Sequence, residues 1–71
     1  MTPDARAHWR SLAVQEALEL QRRTGRPQQV LHIQQPHGHE RFHVCAANDH
    51  RPKLQDGEYL IGFTYRTPTE G

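Results

Sequence analysis

The chain has 71 residues, a formal net charge of +1 and a single cysteine. That length holds one domain, residues 1–71, which buries only about 60% of the surface its unfolded form exposes. The near-neutral charge argues against a general nucleic-acid binder, and one cysteine excludes an internal disulfide.

Thr2-Pro3-Asp4 opens a helix. Thr2 is suited to accept a bond from a free amide, Pro3 at the first helical position loses no bond, and Asp4 suits the positive end of the dipole. Arg22 and Arg23 in the last turn, Gly25 just beyond it and Pro27 stop the helix. The signals predict a helix over 3–24. Ala5, Trp9, Leu12, Ala13, Ala17 and Leu20 form one apolar stripe, with Glu16 inside it. Ala7, Val14 and Leu18 form a second, narrower stripe. It is either surface scatter, common for apolar residues, or a contact with another chain.

After Pro27 the pattern alternates in Val30-Leu31-His32-Ile33-Gln34 and in Arg41-Phe42-His43-Val44-Cys45, as in strands. A two-residue turn at His37-Gly38 would join them as a hairpin. That register opposes Ile33 to Phe42, His32 to His43, Leu31 to Val44 and Val30 to Cys45. It sends Leu31, Ile33, Phe42 and Val44 to one face beneath the helix. Residues 48–57 are a polar connection with a candidate short strand at 53–55. Residues 58–66 read as the last strand, with Tyr59, Ile61, Phe63 and Tyr65 on one side. Residues 1–2 and 67–71 are expected to fray. The class is α+β in α-β-β-β order: one N-terminal amphipathic helix on a mostly antiparallel sheet of three strands, or four with 53–55. Trp9, Leu12, Leu20, Leu31, Ile33, Phe42, Val44, Ile61 and Phe63 are the expected core.

The histidines suggest chemistry, since five of six lie between His32 and His50 with Cys45. In this register His32 and His43 are opposed and Cys45 lies two residues along. Zinc takes imidazole and thiolate in fours, so His32, His43, Cys45 and His50 are an alternative metal set. Their spacing matches no established zinc signature; a partly exposed polar sheet face is the favoured account of them, and no cofactor is expected. Two facing imidazoles would also titrate as a coupled pair. Arg22, Arg23, Arg26 and Arg41 make an alternative nucleic-acid patch, with Tyr59 or Tyr65 for stacking. Cys45, His43 and Asp49 are ingredients of nucleophilic catalysis without a pocket, a phosphate loop or a nucleophile elbow. The chain is therefore read as no enzyme, with no small-molecule substrate evident.

What remains is a non-enzymatic interaction module. One helix covers one sheet face, leaving Val30, His32, Gln34, Arg41, His43, Cys45 and Leu60 for contact, with Val14 and Leu18 on the helix. Its partner is expected to be a second copy, as a homodimer, or a larger protein that it serves as adaptor or inhibitor. Short chains of this kind are frequent among phage and mobile-element accessory proteins, an analogy of size alone. The lone cysteine suits a reducing compartment. The N-terminus lacks a basic-then-apolar signal pattern, and no apolar run reaches the roughly 18 residues of a membrane helix. Cytoplasmic placement is expected.

Overall fold

The computed structural model describes residues 2–49 and 53–68. It contains α1 (Pro3–Thr24), β1 (Gln28–Gln34), β2 (Glu40–Ala46) and β3 (Tyr59–Arg66). The order is helix then strands, a segregation that fits the α+β class. The three strands form an antiparallel sheet in the order β2-β1-β3. No strand forms at 53–55. Among the described residues no helix is long and apolar enough to cross a membrane.

The helix limits follow from their caps. Thr2 Oγ1 accepts from the Ala5 amide at 3.2 Å, and Gly25, at φ 71°, donates its amide to the Gln21 carbonyl at 2.8 Å. A left-handed residue here satisfies a terminal carbonyl that the helix cannot. The helix rests on the sheet through Ala13 and Ala17, against Val30, with Val14, Phe42, Val44 and Tyr65 packed around them. Small side chains at the contact let the backbone lie close to the strands. The larger residues of the expected stripe then fall on its flank, leaving Trp9 and Leu12 54% and 42% exposed.

The β1–β2 register differs by one residue from the one the alternation suggested. Leu31 opposes His43, His32 opposes Phe42, Ile33 opposes Arg41 and Gln34 opposes Glu40. The bend spans five residues, Gln35 to His39, closed by the Gln35 amide on the His39 carbonyl at 2.7 Å. Pro36 is the reason. Its fixed φ starts a helical turn and it has no amide for a ladder, so the chain leaves the sheet one residue before a two-residue turn would allow. His37 (φ 63°) and Gly38 (φ 79°) then reverse it.

An odd loop in place of an even one changes which β2 residues share each face. Val30, His32, Glu40, Phe42 and Val44 face the helix, while Gln29, Leu31, Ile33, Arg41, His43 and Cys45 face away. The central strand thus sends apolar groups both ways, and Val30, Leu31 and Ile33 are all fully buried. The face away from the helix is therefore covered along β1, contrary to the expectation that it lies open.

Topology supplies the cover. The described parts of the 47–58 connection, 47–49 and 53–58, lie in the chain between two strands on opposite sides of β1. Its described ends both meet the face away from the helix. The Asp49 carbonyl accepts from Gln29 Nε2 at 2.6 Å, and Glu58 holds Arg41 and Gln35 at the other end. Gly57, at φ 82°, lies where a Cβ would stand 2.7 Å from Pro36 Cγ; this close approach and this φ both require glycine. Two irregularities interrupt the pairing of β3 with β1, between Val30 and Leu31 and between His32 and Ile33. Thr67, expected to fray, is instead buried, with its hydroxyl and amide on Gln28.

Candidate interaction surface

The face-changing register separates the residues that sequence reading grouped. His32 points toward the helix and His43 away from it, so these two and Cys45 cannot meet around one ion. Among the described residues no group of three His, Cys, Asp or Glu side chains is placed to hold a metal. His50, the suggested fourth ligand, lies outside the described residues. His43 and Cys45 still share a face, both half-buried. Cys45 Sγ takes a weak bond from Gln29 Nε2 at 3.4 Å.

The remaining interaction candidates are dispersed too. Val30 is fully buried under the helix and has no surface to offer. Val14 packs on the core, and Leu18 is half-buried. Leu60 is half-buried beside Ile33, and Gln34 spends its amide on the carbonyls of Gln35 and His39. Arg41 leaves the nucleic-acid set: its guanidinium binds both oxygens of Glu58, at 2.8 and 3.1 Å. Arg26 instead shares a cavity of about 390 Å³ with Arg66, Pro27, Ala47 and Asn48.

Two carboxylates organise the charges. Glu40 receives Arg6 in a two-pronged contact at 3.0 and 3.2 Å and His32 Nε2 at 2.6 Å. His32 also stacks on Phe42, with ring centroids 4.8 Å apart. The Arg6 bond holds the Glu40 carboxyl below its ordinary range, against the opposing effect of burial and with help from His32. The Arg41 bond, joined by the Gln55 amide and Gln35, pulls Glu58 down to about 2. Both clusters tie segments distant in sequence: Arg6 fastens the first helical turns to β2, and Glu58 fastens the long connection to β2. Sequence reading missed them because neither pair has a periodic or short-range signature.

What the structure does leave open is apolar. Among the described residues, Trp9, Leu12, Leu54, Tyr59, Ile61 and Phe63 are exposed, while the large apolar residues fully buried are Val30, Leu31 and Ile33. Trp9, Leu12, Ile61 and Phe63 had been expected in the core. They form two regions. Tyr59, Ile61 and Phe63 stand on the edge strand β3; Trp9 and Leu12 lie one turn apart on the helix. A cavity of about 230 Å³ lined by Trp9, Glu40, Arg41 and Phe42 separates Trp9 from β2. Only its helix–sheet geometry classifies the molecule, as a two-layer α+β domain: no protein family model matches the chain, and no similar curated protein or solved structure is found.

Proposed function

We propose that this chain is a non-enzymatic protein-interaction module whose fold is completed by a protein partner. One observation carries the reading: the described chain exposes more large apolar side chains than it buries. Single exposed apolar residues are ordinary on any surface, but contiguous ones mark contact sites. Here Trp9 and Leu12 lie one turn apart on the helix, and Ile61 and Phe63 two residues apart on β3, with Tyr59 at the start of that strand on the helix side of the sheet. Both strands that carry or border these residues are sheet edges, whose unpaired backbone groups can take an added strand. The free thiol of Cys45 is consistent with work in the reducing cytoplasm. Adaptor or inhibitor roles fit the small size.

The test compares capture by the purified chain with capture by Trp9→Glu and by an Ile61→Asp/Phe63→Asp double variant, in extract of the native host, alongside the oligomeric state of each. The expected result is a protein bound in stoichiometric amount, a second copy included, and lost with one of the variants. A strict monomer that retains the same proteins as both variants would overturn the reading.

A further inference from the structure

The two sheet edges are built differently. β3 is broken twice in its pairing with β1, and such bulges twist an edge away from partners. β2 runs its seven residues against β1 without interruption, and no described strand pairs with its other side. A regular edge is the better template for another strand.

The helix extends the same edge. Trp9, on the flank of α1, shares its cavity with three β2 residues and with none from β1. That lining puts Trp9 on the β2 side of α1. Trp9 and Leu12 stand half in water on that flank, open to contact with a strand added beside β2.

The residues of β2 fit their own reverse. A two-fold axis at His43 is the one antiparallel register that pairs all seven residues of the strand with themselves. It sets Phe42 opposite Val44 of the second copy and Glu40 opposite Ala46 on the helix side. On the other side Arg41 faces Cys45, and His43 faces its own counterpart. No fixed like charges meet, and directly opposed side chains are the contacts that stabilise a sheet. Glu40 is already neutralised within its own chain by Arg6, so it brings no unpaired charge to the junction. An antiparallel two-fold keeps both helices on one face, so the two Trp9–Leu12 flanks approach each other across the new strand pair. The same patch serves both copies, as closed two-fold assemblies require.

We propose that the outer edge of β2 and the Trp9 flank of α1 bind a second copy of this chain, giving a continuous six-stranded sheet with its two-fold axis at His43. This rests on the interaction reading above and names the partner for one of its two regions.

Sedimentation velocity on the purified chain should give twice the 8.3 kDa chain mass. Trp9→Glu, at a position more than half exposed, and His43→Lys, which places like charges on the axis, should each weaken self-association by roughly tenfold or more. A His43→Cys/Cys45→Ser variant should link to itself through a disulfide under mild oxidation, because opposed Cα atoms of an antiparallel pair stand about 4.5–5.5 Å apart, within disulfide reach. A chain that stays monomeric at every concentration overturns the proposal. So does a dimer that ignores both charge variants and fails to cross-link, since it must use another surface. Neither outcome touches capture of a foreign protein through Ile61 and Phe63, so failure here is distinguishable from failure of the interaction reading.

Discussion

Leu31 and Phe63 face each other across the β1–β3 ladder, yet Leu31 is fully buried and Phe63 is 59% exposed. The difference lies in what surrounds their strands. β1 is central, with α1 over Val30 on one face and Asp49 bonded to Gln29 on the other. β3 is an edge that the helix meets near the strand's end, through Tyr65 beside the Ala13–Ala17 contact and the Arg10 guanidinium on Thr64. Apolar character alone did not decide burial; the number of layers reaching each strand did. Buried central strands read as near-continuous apolar runs, whereas β1 carries Gln29 and His32 within its run. Each finds partners: Gln29 donates to Asp49 and Ala46, and His32 bonds Glu40.

The contrast can be broken in four ways. The largest effect should come from Leu31→Ala, which removes buried methyl groups from the central strand at a cost of about 2–5 kcal/mol, read by urea denaturation. A loss below about 1 kcal/mol would mean that the face away from the helix is not covered. Next comes Gly57→Ala, where both the left-handed φ and the contact with Pro36 oppose a Cβ. It should lower stability by more than about 1 kcal/mol and speed amide exchange in the connection.

Acid should then act on the same connection. Glu58 is held near 2 in the folded chain against an ordinary 4.5. Its contribution is therefore complete above about 4.5 and is lost as pH falls toward 2, because the unfolded chain takes up the proton first. Glu58→Gln should flatten the decline of stability across that window; an unchanged slope would show that the Arg41 contact is not what secures the connection. The smallest effect belongs to Phe63→Ala. An exposed residue on an edge strand should change the stability of the isolated chain by roughly 0.5 kcal/mol or less, and a loss comparable to that of Leu31→Ala would erase the distinction between the strands.

Much of the architecture was legible in local chemistry. Thr2, Pro3, Gly25 and Pro27 gave the helix its limits because caps and breakers act within one turn. Alternation located all three strands. The parity of the β1–β2 bend was not legible, since two plausible turns at Pro36-His37-Gly38 differ by one residue and each leaves an acceptable pattern. That single residue moved His32 beneath the helix and left His43 outside, dissolving the histidine cluster. The exposed Trp9 was equally hidden: on a helical wheel it neighbours Ala13, and only docking through the alanines shows which of them faces the sheet.

From sequence alone came the elements, their order and the class of the fold, because caps, breakers and residue alternation act over a few neighbouring positions. Only the folded chain settled the pairing register, the contacts of Asp49 and Glu58 with the face away from the helix, and the choice of which apolar groups meet water. Those depend on contacts between segments tens of residues apart, which no local pattern encodes.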